Sequence, residues 1–188
     1  QAVAGARLGS CVLMVGRVGA DEFGCSLRHN LRAAGVDDAF VVTDEAAATG
    51  VALIAVEDSS QNSIIVAPGA NARLSCQDVE AAHAAITAAR ALMTQLEVPL
   101  ETVACALRLA RAARVLTVLN PAPAQALPAE LIGLADIVIP NETEASVLTG
   151  IPVRDGETAV VAARELHRRG APAVVVTMGS QGALALAE

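Results

Sequence analysis

Three short stretches carry residues whose types and spacing suit chemistry. Asn141, Glu142 and Glu144 directly follow an apolar run at residues 137–139 and open a helical stretch. Two acids and an amide at one strand end suit a hydrated divalent cation carrying a phosphate. A helix N-terminus also favours anions, so a plain capping role explains the same residues. Glu97 stands in Gln95-Leu96-Glu97-Val98-Pro99, at the end of another apolar run. A carboxylate there accepts two hydrogen bonds and suits sugar hydroxyls, or it is simply an exposed acid at a strand end. The third stretch is Thr177-Met178-Gly179-Ser180-Gln181-Gly182, again after an apolar run. Its small residues let backbone approach a phosphate or a ribose closely, although glycines in a strand–loop–strand turn need no ligand.

The elements that must position these groups follow from pattern. Continuous apolar runs at residues 11–15, 92–96, 115–119, 137–139 and 173–177 read as buried strands. Residue 39 to residue 42 is a further short strand. Helices are expected up to Gly9, from a cap at Asp21 to about Ala34, and from Ser75 to about Arg90. Others are expected near residues 100–113, 129–134 and 157–169. In the last, Val160, Ala163 and Leu166 face inward and Glu165 can pair with Arg169. Gly16, Gly19 and Gly24 read as a flexible turn, without the Gly-Lys-Ser/Thr of a phosphate loop. Residues 49–56 and 63–67 flank the polar turn DSSQN and form a hairpin. From residue 91 onward strands alternate with helices, which demands a parallel sheet covered by helices; the hairpin is then a small antiparallel flap attached to it. In an open parallel sheet ligands bind beyond the carboxyl ends of the strands. That is where Glu97, Asn120, Asn141 and the glycine turn fall.

The chain has 188 residues, 54% of them hydrophobic and 18% charged, with a net charge of −7. This is enough for one domain with a real core. The acidic balance argues against binding a phosphate backbone. With no Trp or Tyr and two Phe, a base-stacking surface is also excluded, so nucleic acid is not an expected partner. No apolar run suggests a membrane helix. Cys11, Cys25, Cys76 and Cys105 form no CxxC pair and read as buried reduced thiols; His29, His83 and His167 lack ligand spacing. A dinucleotide-binding reading fails for want of GxGxxG after the first strand.

Taken in order, the motifs resemble one family. Asn141-Glu142-Thr143-Glu144 within PNETEA resembles the Asn-x-x-Glu motif of the ribokinase-like (PfkB-type) carbohydrate kinases. GRVGADEFG, TGVALIAV, QLEVPLE, NPAPAQALP and TMGSQG are similar to segments of the same family in the same order, and cover essentially the whole chain. Two of these motifs, QLEVPLE and NPAPAQALP, place it nearest the ribose-phosphorylating branch.

The resemblance implies a three-layer α/β/α fold with a mostly parallel sheet and a small antiparallel β lid at about residues 49–67. It implies an ATP-dependent kinase acting on a sugar hydroxyl, D-ribose to D-ribose 5-phosphate first, with another sugar or a nucleoside as alternative. Glu97, with Ala52 and Ile54 of the lid, would contact the sugar. Asn141 and Thr177, Met178, Gly179, Ser180, Gln181 and Gly182 would serve the nucleotide, and Glu144 the Mg²⁺. A monovalent cation (K⁺), a cytoplasmic location and a homodimer through the lid are further implications. The family carries a Gly-rich stretch ahead of the segment that starts here at Gln1. Beyond Glu188 it carries a Gly-Asp motif with the catalytic base and anion hole. The chain therefore reads as a partial kinase domain, residues 1–188, incomplete at both ends, and as a polypeptide without useful turnover. A non-catalytic sugar- or nucleotide-binding product is the alternative.

Overall fold

The computed structural model describes residues 1–56 and 62–187; residues 58–61 of the expected polar turn lie outside this range. The chain divides into two compact units, Gln1–Ala82 and His83–Glu188.

In the first unit, helix α1 (Ala2–Arg7) precedes strand β1 (Val12–Gly19), helix α2 (Glu22–Ala33) and strand β2 (Val36–Asp44). β1 and β2 pair in parallel, from Val12 opposite Val36 to Gly19 opposite Asp44. The strand thus runs through Gly16 and Gly19, which corrects the expectation of a flexible turn there. Pairing with β2 satisfies the backbone that the glycines alone would leave loose. The helix α2 begins as expected, with the Asp21 carboxylate accepting the Gly24 N–H at 2.8 Å. Gly35, at φ 80°, follows its end. β3 (Val51–Val56) and β4 (Asn62–Ala67) form the antiparallel hairpin, Val51 opposite Ala67. The helix expected from Ser75 to Arg90 is two, α3 (Cys76–Ala81) and, in the second unit, α4 (His83–Ala88). A Ser75–Asp78 capping box starts α3.

The second unit is built on a sheet of order β5 (Ala91–Thr94), β6 (Leu116–Leu119), β7 (Ile137–Val138), β8 (Ala173–Thr177) and β9 (Ala183–Ala187). The first four are parallel; β9 turns back antiparallel on β8. The crossovers carry α5 (Leu100–Ala112), α6 (Ala129–Ile132), α7 (Glu142–Thr149) and α8 (Gly156–Arg168). In α8 the buried stripe is Ala159, Ala162, Ala163 and Leu166, at the i, i+3, i+4, i+7 spacing of one helical face. Val160, expected inward, is only half-buried beside it. The Glu165–Arg169 pair is present at 2.7 Å. These helices and strands enclose one aliphatic core that includes Leu107, Leu119, Ile132, Val138, Leu166, Val174 and Val176. Alanine on the helices is what lets a core without aromatic rings close.

The expectation of burial fails for two of the cysteines: Cys11 and Cys25 are free but exposed.

Candidate functional site

The carboxyl ends of β5 to β8 bring four polar features to one rim of the second unit's sheet. After β5, Leu96 is buried and its N–H donates to the Ala122 carbonyl at 2.8 Å. Glu97 follows directly, with its side chain in solvent. After β6, the Asn120 N–H donates to the Thr94 carbonyl at 2.9 Å, and its side-chain amide to the Ile139 carbonyl at 3.0 Å. After β7, Asn141 bridges to Thr177, and the Thr177 N–H donates to the Pro140 carbonyl at 2.9 Å. Glu97, Asn120, Asn141 and Thr177 therefore stand on consecutive loops tied to one another by hydrogen bonds.

Asn141 and Glu144 form a reciprocal cap on α7. The Asn141 Oδ1 accepts the Glu144 N–H at 2.8 Å. The Glu144 carboxylate accepts the Asn141 backbone N–H and its side-chain amide, both at 2.9 Å. The capping reading of these residues is thus realised, and Asn141 at the cap with Glu three residues on is also the sequence signature of a capping box. Glu144 is only 7% exposed while Asn141 reaches solvent. Among the described residues no group of three or more His, Cys, Asp or Glu could enclose a metal. A Mg²⁺ ion here would keep most of its waters and would meet Glu144 through one of them rather than sit in a protein cage.

Residues 178–182 are the tight connection from β8 to β9. Three of their amides turn inward: Met178 N–H donates to the Gly182 carbonyl at 2.8 Å, Gln181 N–H to Met178 at 2.9 Å, and Gly182 N–H to Gly179 at 3.2 Å. Gly179 and Gly182 have φ of 51° and 87°, where a side chain would be strained. A Cβ on either would meet nothing within 4 Å. The glycines are demanded by the turn, and the space beside them is open to a ligand. Met178 is buried and anchors the turn; Ser180 and Gln181 are exposed.

The lid candidates belong to the first unit. Ala52 pairs with Val66 and Ile54 with Ile64, so both point from the same face of the hairpin. Ile54 is 56% exposed and Leu53, on the other face, 68%. The base of the hairpin is fixed by Asp21, a connection the sequence reading did not make. Its carboxylate accepts the Thr49 hydroxyl at 2.6 Å and the Thr49 N–H at 2.8 Å, besides capping α2. The Thr49 hydroxyl oxygen in turn accepts the Gly19 N–H at 2.9 Å. The Thr49 hydroxyl, then the amides of Thr49 and Gly24, hold the Asp21 carboxyl below the usual carboxylate range. A Cβ on Gly19 would lie 2.5 Å from the Thr49 nitrogen, and one on Gly24 2.2 Å from the Gly19 carbonyl oxygen. GRVGADEFG is therefore a site of close backbone packing.

Comparison with known proteins bears on the whole chain. A model described as "pfkB family carbohydrate kinase" matches residues 1–188. The ribokinase of Haemophilus influenzae is 43% identical over 97% of this chain and 60% of its own length. A deoxyribokinase of Salmonella typhi is 40% identical over 98% of the chain and 60% of its own length. Among solved structures, the ribokinase of Arabidopsis thaliana in complex with ribose and ATP superposes with a TM-score of 0.90 at 30% identity. It covers 100% of this chain and 61% of that one. The chain spans about 60% of the length of the curated relatives it matches. The expected α/β fold, with its mostly parallel sheet and small antiparallel hairpin, is that of these neighbours. With a family match from the first residue to the last and the motif-bearing loops gathered on one sheet rim, the chain belongs to the pfkB family of carbohydrate kinases.

Proposed function

We propose that this chain is part of an ATP-dependent sugar kinase domain whose acceptor is the 5-hydroxyl of D-ribose. The observation that carries the reading is the rim of the second unit, where Glu97, Asn141, Glu144 and residues 177–182 stand on loops hydrogen-bonded in series. Glu97, exposed on a loop with a buried anchor, accepts sugar hydroxyls. Asn141 and Glu144 order the phosphates and the water shell of Mg²⁺, which when bound supplies charge neutralisation at the transferred group. Residues 177–182 offer the nucleotide an open glycine surface. Ala52 and Ile54 contribute an apolar lid that excludes water, the competing phosphoryl acceptor. Names of relatives support ribose as acceptor, and the bound ribose and ATP of the Arabidopsis protein support the ligand pair. The 40% identity to a deoxyribokinase favours 2-deoxy-D-ribose as the second candidate.

No helix among the described residues is long and apolar enough to cross a membrane; a cytoplasmic enzyme is the reading that the family favours. Exposed Leu53 and Ile65, both at 68% and opposite each other on the hairpin's other face, support a homodimer through the lid.

Isothermal titration of the purified 188-residue polypeptide with MgATP, D-ribose and 2-deoxy-D-ribose tests the proposal. The expected result is binding of MgATP and tighter binding of ribose than of its deoxy analogue. A coupled ADP-release assay on the same sample is expected to stay at background, because the base is assigned outside these residues. Sedimentation velocity reads the dimer. Binding of neither sugar nor nucleotide would falsify the kinase reading.

A further inference from the structure

The parallel ladder between β6 and β7 has a gap that proline makes and asparagine fills. Leu119 pairs with Val138, and the Ile139 N–H donates to the Leu119 carbonyl at 2.8 Å. In a regular parallel ladder the next bond would run from the N–H of residue 121 to the Ile139 carbonyl. Residue 121 is proline and has no N–H. Pro121 and Pro140 are both fully buried, so an unmet carbonyl between them would be costly. The Asn120 side-chain amide donates to that carbonyl at 3.0 Å.

The same segment also ties the opposite loop. The Ala122 N–H donates to the Asn120 carbonyl at 2.8 Å, closing a tight turn around Pro121. That turn shifts the register, so the Leu96 N–H meets the Ala122 carbonyl. One residue later stands Glu97; two residues after Ile139 stands Asn141.

We infer that Asn120 is a positioning residue, whose amide replaces the donor that Pro121 lacks and so fixes the Asn141–Glu144 cap relative to the Glu97 loop. The inference rests on the kinase reading for its consequence, but not for its geometry. A repair is available within the chain: Pro121→Ala restores a backbone N–H beside the Ile139 carbonyl and makes the asparagine dispensable.

The test compares Asn120→Ala, Pro121→Ala and the double variant by MgATP and D-ribose titration, with urea unfolding on each. Asn120→Ala is expected to weaken MgATP binding about tenfold and D-ribose binding less, changing the ratio of the two constants. Global destabilisation would not change that ratio for folded protein. The double variant is expected to recover most of the lost affinity. Unchanged nucleotide affinity in Asn120→Ala, or a loss that the double variant does not recover, overturns the inference. If Asn120→Ala does not fold, the double variant decides: folding with near-parental affinity upholds the role, and failure to fold or bind overturns it. If the parent polypeptide binds neither ligand, the kinase reading falls. The brace is then judged by urea midpoint alone, low in Asn120→Ala and recovered in the double variant if it holds, unrecovered if it does not.

Discussion

In the first unit Arg17 donates to Asp44 at 2.9 Å and to Asp78 at 2.8 Å, and Arg73 donates to Asp44 at 2.7 Å. In the second unit Leu107, Leu119, Ile132 and Leu166 are fully buried among aliphatic neighbours. The contrast follows from architecture. Two parallel strands and a hairpin enclose little apolar volume, so charges bridge β1, β2 and α3 where a larger sheet would use side-chain packing. A five-stranded sheet with four crossover helices can bury whole aliphatic faces. The first unit thus relies more on groups that answer to pH and salt, the second more on groups that do not.

Acid is the strongest way to separate the two. Asp38, between Arg32 and Arg28, and Asp44, held by the Ala46 amide, Arg17 and Arg73, are each lowered to about 2. Asp21 and Asp78 are lowered as well. Folded-state values below the unfolded ones mean stability that is present above about pH 4 and lost as pH falls towards 2. The second unit has fewer such groups, Glu165 at about 2 and a lowered Asp155. Hydrogen exchange, corrected for intrinsic rate, is expected to show protection falling in β1 and β2 before β6 and β8. Simultaneous loss would erase the distinction.

Core truncation should do the reverse. Leu166→Ala removes a fully buried side chain from α8, at a cost of about 3 kcal/mol. Its unfolding midpoint in urea should be equally depressed at low and high salt. A salt-dependent loss would mean that charges also support this core.

Two glycine substitutions sharpen the comparison at smaller scale. Gly24→Ala would force a Cβ to 2.2 Å from the Gly19 carbonyl oxygen, and the required backbone shift costs about 2 kcal/mol. Gly150, at φ 76°, ends α7 with open space around it. Gly150→Ala there costs about 1 kcal/mol from backbone strain alone. Thermal melts of the two variants should keep this order; equal shifts would show that the tight Gly19–Gly24 contact yields more easily than its distances imply.

Much of this was legible in the residues. The strand runs, the capped helices and the hairpin follow from apolar periodicity and from Asp21, Ser75 and Gly35. The rim was legible too, because strand ends in a parallel sheet have a known side. What escaped had a tertiary cause. Gly16 and Gly19 read as a turn because only β2, a distant partner, makes them strand. Asp21 read as a helix cap, and nothing near it in sequence announces Thr49. The Asn120–Pro121 pair did carry a signal, a missing donor beside a side-chain amide, but its acceptor lies nineteen residues on at Ile139.

The reciprocal cap of Asn141 and Glu144 has a practical consequence. A carboxylate whose two oxygens close the first turn of α7 cannot turn outward while that turn stays wound. Were the proposed ion to draw it outward, the helix start would have to loosen in the same event. In that event the amide signals of Asn141 and Glu144 would gauge occupancy in a spectrum, without any attached label.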